Sequence, residues 1–576
     1  MKMRYGGVKS ASLMLPIFAV AVIGVVMIQV LADEEASAPP ESVEVSAPFG
    51  KSKGSFLKTR LGKDILAFRG LRYAEAPTGQ QRFQPPVPVA PLESIFDASE
   101  EGPACPQSFS ENQSEDCLRL NIYTTKLSTA DDLVRRPVIV YFHPGGFYES
   151  SGQSFIEGPQ YLLDHDIVLV TVNYRLSSLG FMSAGDSLLP GNLGLKDQVE
   201  ALRWVKKNIA AFGGDPSCVT ITGYSAGSWS VSLHMVSPMS VGLFHRAIAM
   251  SGSAIYQEPL PTNQTHLAKK QAEILGCPTD TIGNMLVCLN TKTTEEFAEG
   301  VAQFFEWYNN PILQWLPVVE PEVRGVERFL PDQPIELIKQ GKFHKVPFIT
   351  GVTKDEFGGQ IVQMIEQAKS GNDSMFKDLN DEWERLAPIN FLYERDTERS
   401  KVISRRLNEY YLKGKPVSIE NSEGLAHLFA DGVIGYSVHR LVNAVASASD
   451  KPVYYYNFTY QGPYSHVTWN NTKKPYGVVH HDDLLYIFRV SFFPDFEKDS
   501  PDMKTVERMT SIWANFAKTG EPIPKDNELF KNVTWEPYTT ENKRHLEIGN
   551  ELVMKDSSND ERMKLWDEIS SVPHED

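Results

Sequence analysis

Val219-Thr220-Ile221-Thr222-Gly223-Tyr224-Ser225-Ala226-Gly227 is the stretch from which the fold of this chain is read. A short β-branched run leads directly into G-x-S-x-G. That pattern marks a sharp strand-to-helix turn, in which glycines two before and two after the serine let its hydroxyl stand clear of a sheet. The pattern is short, and Gly50-Lys51-Ser52-Lys53-Gly54 matches it too. This second match has no apolar strand ahead of it and lies in a charged segment, so only Ser225 has the context the turn demands.

Four more apolar runs read as buried strands of a mostly parallel sheet: Val138 to Phe142, Ile167 to Val172, Phe348 to Thr350 and Val453 to Phe458. Helical patterns lie between them. The clearest places Leu195, Val199, Leu202, Val205 and Ile209 at steps of four, three, three and four, with Asn192 as its cap and Gly213-Gly214 as its stop. Strands alternating with helices predict an α/β fold, with right-handed crossovers, helices on both faces and ligands bound beyond the carboxyl ends of the strands.

A serine hydroxyl is a weak nucleophile at neutral pH, so Ser225 needs a base, an acid to orient the base and donors for an oxyanion. His143-Pro144-Gly145-Gly146-Phe147 follows the strand ending at Phe142, and the N–H groups of Gly145 and Gly146, with that of Ala226, are the candidate donors. Glu356 lies just past the strand ending near Thr350, and His480 lies in Gly477-Val478-Val479-His480-His481-Asp482-Asp483. The order serine, acid, histidine is the one used by hydrolases built on such a turn. Neither a metal nor another cofactor is implied, because His480-His481-Asp482-Asp483 lacks helical ligand spacing and a triad needs none.

The 576 residues, 41% of them hydrophobic, suffice for a large core. Lys and Arg number 56 against 73 Asp and Glu, a net charge of -17 with no basic run, which argues against nucleic acid as a partner. Nothing in the sequence sets an oligomeric state. Residues 1–32 read as a secretory signal: Lys2, Arg4 and Lys9, then apolar residues from Ala11 to Leu31, then Val30-Leu31-Ala32. The apolar stretch approaches the ~20 residues that span a bilayer. An uncleaved anchor through residues 11–31 is therefore the alternative to a secreted, extracellular protein, and only that alternative implies a membrane partner. Residues 33–48 are acidic and rich in Ser, Ala and Pro, which predicts a disordered leader, and residues 49–576 read as a single domain without linker or repeat. Sequons at Asn112, Asn263, Asn372, Asn457, Asn470 and Asn532 are candidate glycosylation sites compatible with lumenal passage. The five cysteines fit the same compartment, since Cys105 with Cys117 and Cys277 with Cys288 make short-range pairs and leave Cys218 as a buried free thiol.

Further segments carry a family resemblance. They are Phe68-Arg69-Gly70-Leu71-Arg72-Tyr73-Ala74 with Arg82-Phe83-Gln84-Pro85-Pro86, then Ser114-Glu115-Asp116-Cys117-Leu118-Arg119-Leu120-Asn121, then Asn192-Leu193-Gly194-Leu195-Lys196-Asp197-Gln198, and Phe212-Gly213-Gly214-Asp215-Pro216. Together with the Ser225 turn they make the chain resemble the carboxylesterase/cholinesterase family, the type-B esterases, and within it insect secreted carboxylesterases. The resemblance implies an α/β-hydrolase fold and a serine esterase that acts on small-molecule esters through an acyl-enzyme. It also implies Ser225, Glu356 and His480, rather than His481, as the triad, Gly145, Gly146 and Ala226 as oxyanion donors, and the two cysteine pairs as disulfides.

Three positions depart from the family pattern. Pro144 replaces the first of three glycines, and Tyr224 stands where most relatives have Glu. The first disulfide loop holds only eleven residues and no tryptophan, where cholinesterases place a choline-binding indole. Small to medium, mostly uncharged carboxylic esters are the implied substrates, with acetylcholine disfavoured. The alternative is a non-catalytic adhesion or binding protein on the same scaffold, but such relatives lose the serine or its partners and this chain keeps all three.

Overall fold

Every residue of Arg136–Phe142 is buried, and the two faces of this strand enter different cores. Val138, Val140 and Phe142 pack into one hydrophobic cluster, Ile139 and Tyr141 into another. The period of two in a strand makes this division, and it requires cover on both sides of the sheet. The computed structural model describes residues 42–573 apart from positions 109, 130, 134, 471, 526 and 559.

The strands are, in chain order, β1 (Val43–Ala47), β2 (Gly50–Lys58), β3 (Asp64–Arg72), β4 (Phe96–Asp97), β5 (Arg119–Thr124), β6 (Arg136–Phe142), β7 (Val168–Val172), β8 (Gly214–Tyr224), β9 (Arg246–Met250), β10 (Phe348–Thr353), β11 (Val453–Phe458), β12 (Arg544–Ile548) and β13 (Leu552–Asp556). Their order across the sheet is β1-β2-β3-β5-β7-β6-β8-β9-β10-β11-β12-β13, with β4 beside β2. From β7 to β12 every neighbouring pair is parallel. The strands beyond them add antiparallel flanks. Helices α1 (Leu193–Asn208), α2 (Ala226–Val236) and α3 (Tyr436–Ala448) contribute Leu195, Val199, Val231, Leu233, Leu441 and Val442 to the first core. Helix α4 (Pro501–Thr519) contributes Val506, Met509, Ile512 and Trp513 to the second. This is the α/β-hydrolase arrangement, a mostly parallel sheet with helices on both faces.

All five apolar runs are strands, and the periodic segment is α1. The cap is different from the expectation. Asn192 has φ 58 and makes no capping bond with its side chain. Instead Nδ2 donates to Val318 O and Glu320 Oε1 at 2.7 and 2.9 Å, while Oδ1 accepts Val318 N–H at 2.9 Å. Buried polar anchors recur in the family-like segments. The Arg175 guanidinium meets Asp197 through Nε and Nη2 at 2.8 and 2.7 Å, Arg82 meets Glu115 in the same two-pronged way, and Gln198 holds His234 and Ser230 of α2 at 3.0 Å each.

The disordered leader expected over residues 33–48 is corrected at its C-terminal end. Residues 43–47 form β1, paired antiparallel with β2, and Val45 enters the first core. The alternation Val43-Glu44-Val45 gives one buried face, and a ready partner strand outweighs the acidic composition. The rest of that leader and the signal segment lie outside the described residues. The second G-x-S-x-G match lies within β2 with Ser52 fully buried, so it forms no turn. Cys105–Cys117 and Cys277–Cys288 are disulfides. Cys218 is free but half-buried rather than buried, its Sγ donating to Ala517 O at 3.4 Å and accepting from Arg246 Nη1 at 3.2 Å. Among the described residues no helix is long and apolar enough to cross a membrane.

Candidate active site

The parallel strands deliver their following loops to one edge of the sheet, and four of these loops carry the site. Ser225 sits between β8 and α2 at φ 54 and ψ -117, a conformation that costs a non-glycine residue on the order of 1–3 kcal/mol. The surroundings enforce it. Ser225 N–H donates to Met250 O and its carbonyl accepts Trp229 N–H, both at 2.9 Å. A Cβ at Gly223 would lie 2.3 Å from Gly227 O, and one at Gly227 would lie 2.0 Å from Phe142 O. Strand and helix can cross this closely only over two glycines, which is the physical content of the motif.

Glu356 follows β10 at φ 25 and is 2% exposed. Its Oε1 accepts the Thr353 N–H at 2.7 Å and its Oε2 meets His480 Nδ1 at 2.6 Å. A carboxylate only accepts, so Nδ1 carries the proton and the lone pair is left on Nε2. That nitrogen is buried and has no partner among the described residues. The histidine loop is stitched to the acid loop by His480 N–H to Glu356 O at 3.0 Å, Asp355 N–H to Val478 O at 2.9 Å and Val478 N–H to Asp355 Oδ2 at 2.8 Å. The Phe357 ring lies 4.3 Å from the imidazole and the Tyr224 ring, one residue before Ser225, lies 4.9 Å from it.

The candidate oxyanion turn follows β6. Gly145 and Gly146 have φ of 108 and 57, and a Cβ there would strike Glu149 O at 2.1 Å or the Tyr148 ring at 2.5 Å. Ala226 is the first residue of α2, so its N–H has no acceptor within the helix. Pro144 leaves these three N–H groups in place, and its carbonyl receives His143 Nδ1 at 2.8 Å. The His143 ring stacks on Tyr174 at 4.3 Å, and the Tyr174 hydroxyl donates to His143 O at 2.9 Å.

Two acids after His480 escape a reading of the sequence, because adjacent carboxylates in a loop look like solvated charge. Asp482 is buried, accepting Val479 N–H and the Ser465 hydroxyl on one oxygen and His466 N–H on the other. Asp483 is fully buried and accepts the Tyr456 hydroxyl at 3.2 Å. Burial, then the charge of Glu356, push its pKa up to about 7, while the Tyr224 and Tyr456 hydroxyls pull it back. Among the described residues no cluster of His, Cys, Asp or Glu could hold a metal ion. Of the sequons, Asn112, Asn263, Asn372, Asn470 and Asn532 are exposed. Asn457 lies within β11, between β10 and β12, with its side-chain oxygen buried.

Burial holds the His143 imidazole down to about pKa 4, against the smaller opposing effect of its bond to Pro144 O. The folded chain therefore binds this proton more weakly than the unfolded chain does. The resulting stability is complete above about pH 6.5 and is lost as pH falls through 4. Replacing His143 with Gln removes that dependence. Urea midpoints should show the wild type losing stability relative to His143→Gln between about pH 6.5 and 4, by about 1.4 kcal/mol per pH unit at the steepest. Parallel curves would contradict this.

Comparison with known proteins agrees with the geometry. The sequence profile of the Carboxylesterase family matches residues 41–566. Esterase FE4 of Myzus persicae is 37% identical over 510 residues, covering 86% of this chain and 87% of that protein. The juvenile hormone esterase of Tribolium castaneum is 33% identical, with 91% of each chain covered. The crystal structure of juvenile hormone esterase from Manduca sexta, with OTFP covalently attached, superposes with a TM-score of 0.81 at 28% identity over 92% of this chain and 99% of that one. A strained serine between strand and helix, a carboxylate–histidine pair and a double-glycine turn, in a chain matched along almost its whole length, make this protein a member of the carboxylesterase family, a carboxylic ester hydrolase.

Proposed function

We propose that the chain hydrolyses small to medium, mostly uncharged carboxylic esters through an acyl-enzyme on Ser225. The observation that carries this reading is the 2.6 Å bond between Glu356 and His480, which leaves a buried Nε2, without a partner among the described residues, as the base for the elbow serine. In the first step His480 Nε2 takes the Ser225 proton while Oγ bonds to the ester carbon, and the oxyanion lies among the N–H groups of Gly145, Gly146 and Ala226. Collapse breaks the ester C–O bond, and the alcohol leaves with the proton from His480. Water, deprotonated by the same histidine, then attacks the acyl carbon and frees the acid and Ser225. Covalent attachment of OTFP in the Manduca sexta enzyme supports a covalent step on this fold.

The preference for uncharged esters follows from Tyr224. Burial pushes its phenol well above its usual range, so a neutral group stands beside the nucleophile where a carboxylate would attract cations. Two disulfides and five exposed sequons support secretion by way of residues 1–32.

Two expectations test the chemistry and the specificity. With p-nitrophenyl esters, Ser225→Ala should lower kcat by on the order of 10⁵ and Glu356→Gln by about 10⁴, each with its melting temperature retained; activity within tenfold of wild type in either variant would refute the triad. A choline ester should turn over no faster than the isosteric neutral 3,3-dimethylbutyl ester, and a preference of about tenfold or more for the cation would refute the assignment of uncharged substrates.

A further inference from the structure

The loop that carries His480 turns sharply after it, with His481 at φ 79. A base at such a turn holds its place only if the backbone on both sides is fixed. On the upstream side Val478, Val479 and His480 bond to Asp355, Asp482 and Glu356. On the downstream side the His481 N–H donates to the Tyr224 hydroxyl at 2.9 Å. Tyr224 is the last residue of β8 and immediately precedes Ser225, so this bond joins the base loop to the elbow itself.

We propose that Tyr224 is a positioning residue for His480, its hydroxyl fixing the backbone that carries the base relative to the nucleophile. The proposal rests on the acyl-enzyme reading above. The hydroxyl has the valence the task requires: a lone pair takes the His481 N–H, and the donated bond leaves its own proton uncommitted. Full burial removes water as a competitor for this bond. The ring does separate work as a wall, 4.9 Å from both His480 and His481. The two contributions can be divided, because Tyr224→Phe keeps the wall and deletes the hydroxyl.

Steady-state kinetics of Tyr224→Phe on a neutral p-nitrophenyl ester, beside wild type and Ser225→Ala in one assay, tests the brace. The expected result is a kcat lowered about tenfold, the equivalent of one hydrogen bond, with KM within about twofold. The rate constant for inactivation by an organophosphate should fall by the same factor. An unchanged kcat, or a loss confined to KM, would overturn the proposal. Should the variant not fold, hydrogen exchange resolved to single residues in the wild-type protein decides instead: strong protection of the His481 amide is expected, and exchange at the rate of an open loop would overturn it. A wild type with no turnover would refute the acyl-enzyme reading and leave the exchange result to judge the brace by itself.

Discussion

The close crossing of β8 and α2 at Ser225 is the constraint on which the rest depends. With Gly227 against Phe142 O and Gly223 against Gly227 O, the strand and helix leave no room for side chains, and the residue between them is forced to φ 54. Such strain persists only when the surroundings over-determine it. Here they include β6 on one side and β9 on the other, with α2 held to α1 through His234 and Gln198. The parallel core exists, in this sense, to hold one unfavourable turn.

The same principle recurs at the acid. Glu356 has φ 25, and its carboxylate is fixed by the Thr353 N–H on one oxygen and His480 on the other. Removal from water makes each of these bonds worth more than it would be at the surface and leaves no alternative partner for the imidazole. Nε2, without a partner among the described residues, is then the free acceptor of the neutral ring. Burial pushes the Asp483 pKa up to about 7 and the Tyr224 phenol well above its usual range.

Much of this was legible from residues alone, for a physical reason in each case. Buried parallel strands must be apolar on both faces, so β6, β7 and β11 stand out as runs, and G-x-S-x-G encodes a contact distance between backbones. Glu356 and His480 stand out in the sequence only through their order along the chain and the family resemblance, since a glutamate and a histidine in loops carry no local signature. Three things were hidden. Asn192 has the right residue type and place for a cap, yet its amide answers to Val318 and Glu320, far along the chain. The strand over residues 43–47 depends on a partner that composition cannot show. Asp482 folds its loop onto Ser465 and His466, Asp483 meets Tyr456 within β11, and the Tyr224 hydroxyl joins the end of β8 to His481, pairings that residue type alone does not announce.

In the proposed reaction Ser225 becomes covalently bonded to the acyl group of its substrate. Mass spectrometry of peptides from the mature protein, after treatment with one equivalent of an organophosphate and loss of ester turnover, tests it most directly. A single phosphoryl adduct is expected on the peptide containing Gly223-Tyr224-Ser225-Ala226-Gly227, in proportion to the activity lost. Inactivation with the adduct on another residue, or full turnover with Ser225 fully modified, would contradict it.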